Sequence, residues 1–376
     1  MRQRDEKLDL IRGISALLVL MAHVRAIVFV DFGETGLTSL FVKGFYFLTG
    51  IHHQAVMVFF VLSGYFVGGS VLHKLRNNSF TWQKYATDRL TRLWIVLIPA
   101  LFLTLGADTI GQKFHPTNYT GALHSIWSSG PAPTSPADHS LSTFLGNCFF
   151  LQTIELPVYG SNGPLWSLVN EFWYYVLFPL FIGGLFFVMR RGQKRVIAII
   201  PVLLSIGMLL WLPQGIVEDG LIWLLGVAAW FGSRFIAQLQ PIVRGSWYVV
   251  GMLCFLISLF LSKTSSPFGS DLTIGLAFAL WMPMLLGTWN KSNWARSVGK
   301  FLSEISYTLY VIHFPIVILL GSIWVGTHQH SFGATGILIF FAMCLVCLIC
   351  AYLMWWLFER RTNELRLRIS SRLGIK

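Results

Sequence analysis

Ten apolar runs of roughly 17–25 residues divide this chain, and that length is what an α-helix needs to cross the hydrocarbon layer of a bilayer. They fall at 9–30, 55–72, 93–110, 165–189, 196–212, 220–236, 247–262, 272–289, 305–325 and 336–358. A further run at 141–153 is too short to span and reads as an interfacial or re-entrant segment. Only 12% of the 376 residues are charged and 55% are hydrophobic. A soluble domain carries about 25% charged residues and has no interior large enough for this much apolar surface. The first run continues past Ala22 without a small-residue cleavage site, so it reads as a retained helix rather than a signal peptide.

The basic residues orient the spans. With the N-terminus inside, 24 of the 28 Lys and Arg fall on the cytoplasmic side, leaving only Arg25, Lys43, Lys113 and Lys263 outside. One missed span would invert every later loop and destroy that asymmetry. The reading is an all-α polytopic integral membrane protein with about ten transmembrane helices and both termini cytoplasmic. A single transmembrane domain covers 1–376, with its membrane helices in 9–358, a long outer loop at 111–163 and a basic cytoplasmic tail at 359–376. The net charge of +12 then reflects positive-inside loops and contact with anionic lipid at the cytoplasmic face, and it calls for no nucleic acid. The Pro-rich part of the outer loop, GPAPTSPADHS, reads as irregular surface.

Ionisable groups inside spans mark the expected site, because hydrocarbon penalises them. Arg12 and His23 lie eleven positions apart in the first span, which returns to within about 20° of one helix face over roughly 16 Å of rise. Arg12 is close enough to the inner boundary to snorkel. His23 is too deep for that, and His is the side chain suited to moving protons near neutral pH. Arg89 and Arg92 are three apart on one face, and paired guanidiniums suit phosphates. Together with Arg12 they form a cytoplasmic arginine layer suited to a polyanionic ligand.

The fourth span carries Trp166 and Glu171, and a carboxylate at that depth needs a partner, a water-filled cavity or a proton. In the ninth span Ser306 and His313, seven apart, share a face with Tyr310 beside them, and Pro315 suits a cavity-lining kink. Ser63, Gly64 and Gly68 lie in the second span, where the G-x-x-x-G spacing predicts close helix packing. Asp9 and Glu359 are assigned structural or orienting roles. The C-x-x-C-x-x-C of Cys344, Cys347 and Cys350 reads as small packing residues in a helix, with no metal site expected.

These segments resemble one known pattern. RDEKLDLIRGISALLVLMAHV is similar to the opening helix of the membrane-bound acyltransferase family 3, marked by Arg, ten residues and His, here Arg12 and His23. FFVLSGYF, RLTR, LWSLVNEFWYYVLFP and ISYTLYVIHFP resemble four further blocks of that family in the same order. The final FE fits too, although Arg361 stands where the family often has Pro after a basic residue.

The resemblance covers essentially the whole chain and implies an enzyme of the bacterial inner membrane. Its reaction would be transfer of an acyl group, commonly acetyl, from cytoplasmic acyl-CoA to a hydroxyl of a glycan or similar small acceptor. The form is the stand-alone one, without a fused outer hydrolase-like domain. Arg12, Arg89 and Arg92 would then bind the acyl donor, and His23 would be the general base or a transient acyl carrier. Ser63, Trp166, Glu171, Ser306, Tyr310 and His313 would line the cavity or bind the acceptor. Acyl-CoA is the expected co-substrate, with no metal, and oligomerisation is left open. A secondary transporter with a His/Glu proton relay is the rival reading.

Overall fold

A computed structural model describes residues 5–125, 128–189, 199–236, 238–264, 266–286, 293–326 and 328–375. In chain order the helices are α1 (Glu6–Val28), α2 (Leu40–Leu48), α3 (His52–Ser63), a π-helical turn at Gly64–Gly68, and α4 (Gly69–Arg76). They continue with α5 (Trp82–Phe114), α6 (Leu141–Cys148), α7 (Leu165–Met189), α8 (Ile199–Trp211), α9 (Gln214–Ile236) and α10 (Pro241–Leu261). The last four are α11 (Asp271–Trp281), α12 (Asn293–Trp324), α13 (Ala334–Leu357) and α14 (Thr362–Arg372).

Among the described residues there is no β-strand, and eight helical runs are long and apolar enough to cross a membrane. The protein is an all-α polytopic membrane protein. The eight are α1, α3 continuing through α4, α5, α7, α9, α10, α12 and α13 with its extension. The other two expected spans are shorter. α8 is 13 residues long, and the first residues expected for that span, 196–198, lie outside the described ones. α11 stops at Trp281 because Pro283 has no N–H to continue the ladder, and Met282–Leu285 tightens into a 3-10 turn. The end of that span, 287–289, is also outside the described residues, as are the basic residues Arg2, Arg4, Arg190, Arg191, Lys194, Arg195, Lys291 and Lys376.

The chain forms two compact units. The first comprises the residues up to Arg12, Val56–Tyr85 and Asn170–Gly299. Its centre is a backbone-to-backbone crossing. A Cβ on Gly64 would strike the carbonyl of Trp223, and one on Gly226 would strike the carbonyl of Val61. Only glycine on both partners permits that approach, the packing the G-x-x-x-G spacing predicted. Pro179 leaves the Tyr175 carbonyl of α7 without its helical donor, and the Tyr85 hydroxyl donates to it at 2.9 Å.

The second unit comprises Gly13–Ala55, Ala86–Val169 and the chain from Lys300 onward. α12 runs through Pro315 without a break. The Val311 carbonyl, four residues earlier, takes its hydrogen bond from Asn162 Nδ2 at 2.9 Å instead.

The Pro-rich stretch at 130–140, expected as irregular surface, is part of a segment between α5 and α7 that is tied onto α5. Asp108 is fully buried near the C-terminal end of α5, where it accepts from Ser161 N at 2.7 Å, Ser161 Oγ at 2.6 Å and His139 Nε2 at 2.8 Å. Asp138 and Ser140 cap α6, with Ser140 N donating to Asp138 Oδ1 at 2.8 Å and the Thr143 hydroxyl donating to Asp138 Oδ2.

Candidate active site

His23 is buried in the second unit, 6% exposed, with the edge of Phe314 against its ring. About three turns of α1 beyond the unit boundary bring it level with His313 of α12. The two imidazoles lie near-parallel, and His23 Nδ1 is 2.8 Å from His313 Nε2. His313 Nδ1 faces only carbonyl oxygens, those of Leu309 at 3.0 Å and Tyr310 at 2.8 Å.

Those partners fix the proton pattern. A carbonyl can only accept, so His313 Nδ1 carries a hydrogen. In neutral His313 the Nε2 is then a lone pair, and His23 Nδ1 must be the donor to it. That leaves His23 Nε2 as a lone pair in turn. This second nitrogen sits 3.2 Å from Ser129 Oγ, whose hydroxyl donates to it. The arrangement is a base, oriented by a second group, with a hydroxyl against its basic atom.

Further rings cluster around His23 within the same unit. His52 lies 5.2 Å from His23 between ring centres, and His53 lies near-parallel to Trp166 at 6.1 Å. Tyr310 donates to the Pro164 carbonyl at 3.2 Å and meets Ser167 Oγ at 2.5 Å. The Trp-Ser-Leu and Tyr-x-x-His blocks, distant in sequence, are thus bonded to each other. Glu359 accepts from the Thr308 hydroxyl at 2.5 Å, which ties the end of α13 to α12. Ser306 donates to the Ser303 carbonyl of its own helix, so that hydroxyl is occupied locally. Arg89 is half-buried and Arg92 exposed near the start of α5, where Asp88 pairs with Arg366 of α14 at 3.5 Å.

The remaining expected residues belong to the first unit. Arg12 pairs with Asp9 at 3.1 Å, one helix turn away. Ser63 accepts from Trp223 Nε1 at 3.1 Å and bonds Tyr175 Oη at 3.1 Å, which makes it a joint between α3, α7 and α9. Glu171 is half-buried and follows Asn170, whose amide donates to Asp219 Oδ2 at 2.9 Å.

Several site residues escaped the sequence reading. Ser129 carries no local signal, because nothing in its segment predicts which buried base it meets. His52 and His53 sit at the start of an apolar run, where polar residues pass as boundary markers.

Residues 5–356 match the acyltransferase domain of acyltransferase family 3. The chain belongs to that family and is a membrane acyltransferase. No curated protein and no solved structure matches it.

Proposed function

We propose that this acyltransferase moves an acetyl or similar acyl group from cytoplasmic acyl-CoA to a hydroxyl of a glycan or related acceptor, in the bacterial cytoplasmic membrane. The observation that carries this reading is the hydrogen-bond order from the α12 carbonyls through His313 to His23, which aims the Nε2 lone pair at a hydroxyl. A hydroxyl bound at that atom loses its proton to Nε2 as its oxygen attacks the thioester carbonyl. Nδ1–H keeps its bond to His313 throughout, so the ring does not rotate away while charged. The thiol leaving group then takes the proton back.

Arg89 and Arg92 are the proposed phosphate holders, because planar guanidiniums match phosphate oxygens bidentately. Trp166 and Tyr310 shape the wall beside the histidines, whereas Ser63 serves packing in its own unit. The family membership supports acyl transfer over the transporter alternative.

The test uses purified protein, labelled acetyl-CoA and mixed cell-envelope glycans. Transfer that falls about 10²–10⁴-fold in His23→Ala supports the base assignment. Full transfer in that variant rejects it. Absence of CoA binding by calorimetry, unchanged by Arg89→Ala or Arg92→Ala, rejects the donor assignment.

A further inference from the structure

The hydroxyl on His23 Nε2 belongs to the protein itself. We propose that Ser129 is a nucleophile of this enzyme and carries the acyl group as a serine ester between donor and acceptor. This rests on acyl-CoA being the donor.

The geometry meets each requirement of an activated serine. Ser129 Oγ is 3.2 Å from His23 Nε2, and His23 is oriented through Nδ1 by His313 Nε2 at 2.8 Å. Nucleophile, base and orienting group in hydrogen-bond series are the signature of covalent catalysis by a hydroxyl. Ser129 is held there by several contacts of its own segment. His124 Nδ1–H donates to the Pro131 carbonyl at 3.2 Å, and Ala132 and Ser135 exchange two backbone bonds at 3.0 and 2.9 Å. Gly163, just before α7, lies so close under the Ser129 carbonyl that a Cβ would overlap it. Exposure also differs along the series in the useful direction. His23 is buried, whereas Ser129 is half-exposed, so an acyl group on Oγ lies on the accessible side of the base, where an acceptor hydroxyl can approach both the ester and Nε2.

The chemistry balances in two steps. Ser129 Oγ–H gives its proton to His23 Nε2 as Oγ bonds to the thioester carbon. The C–S bond breaks, and the sulfur leaves with that proton as the free thiol. In the second step the acceptor hydroxyl gives its proton to His23 Nε2 and its oxygen bonds to the same carbon. The ester bond to Oγ breaks, and Ser129 recovers the proton. No oxidant or reductant is needed.

The experiment incubates the purified full chain with labelled acetyl-CoA in the absence of acceptor, quenches in acid, and maps label by intact-protein and peptide mass spectrometry. Expected is one acetyl ester on Ser129 with release of one CoA, absent in Ser129→Ala and in His23→Ala. With mixed glycans present, Ser129→Ala loses about 10²-fold or more in kcat. Ser129→Cys forms a thioester cleaved by neutral hydroxylamine, which separates a lost nucleophile from a lost fold. Wild-type transfer to glycans with no acyl-serine, label on His23, or undiminished kcat in Ser129→Ala overturns the serine step and leaves the donor reading standing. Wild-type protein that neither binds acetyl-CoA nor releases CoA overturns both.

Discussion

His313 holds His23 as a carboxylate holds the histidine of a Ser-His-Asp triad, but its accepting atom is a ring nitrogen rather than a carboxylate oxygen. A nitrogen can orient the ring and also receive its proton, whereas it offers no fixed negative charge to stabilise the imidazolium. Replacing it separates these roles. His313→Leu removes the acceptor and is expected to lower kcat on the order of 10²-fold, with little change in the apparent acyl-CoA affinity. His313→Gln presents an oxygen at comparable reach, so it recovers a large part of kcat. It also changes the pH–rate profile, because the amide does not titrate. Steady-state kinetics across pH checks both outcomes, and equal losses in the two variants would reduce His313 to packing.

At the element scale the helices are held by their irregularities. Two prolines each release one helix carbonyl, and in each case a side chain from elsewhere in the same unit supplies the missing donor. Asn162→Leu strands the Val311 carbonyl beside the histidines, at a cost of about 1–3 kcal/mol. Gly64→Ala forces apart the crossing with Trp223 and costs a similar about 1–3 kcal/mol through overpacking. Thermal unfolding in detergent reads both losses. Gly163→Ala adds an effect on chemistry. Its methyl likewise overlaps a backbone carbonyl, that of Ser129, so the expected effect is a fall in kcat together with a similar loss of thermal stability. The ten apolar runs, the glycine spacing and Pro315 were all legible as local patterns, since each depends on residues a few positions apart. The partner that fills a freed carbonyl was not legible, because Asn162 and Val311 are 149 positions apart.

Across the molecule, the segment between α5 and α7 carries a cap whose stability responds to acid. The Thr143 hydroxyl, then the Ser140 backbone N–H, hold the Asp138 carboxyl below its ordinary value of 3.8, with burial acting weakly against them. A lowered folded value means the cap's contribution is complete above 3.8 and is lost as pH falls through the folded value. Limited proteolysis of the segment between α5 and α7 is therefore expected to be constant from neutral pH down to about 4 and to rise below that, whereas Asp138→Asn is cleaved faster already at pH 7. The proposed donor binding through Arg89 and Arg92 is expected to weaken as salt rises, because a charge as exposed as that of Arg92 is screened within about 8 Å at physiological ionic strength. By itself the sequence determined the class of protein: the apolar runs require helices in lipid, and the ordered blocks around Arg12, His23, Arg89, Glu171 and His313 carry the family. Only the tertiary structure decided which groups touch His23. Proton direction in a buried histidine depends on what its two nitrogens face, and those partners come from segments 290 and 106 positions away. No local periodicity encodes a contact of that separation.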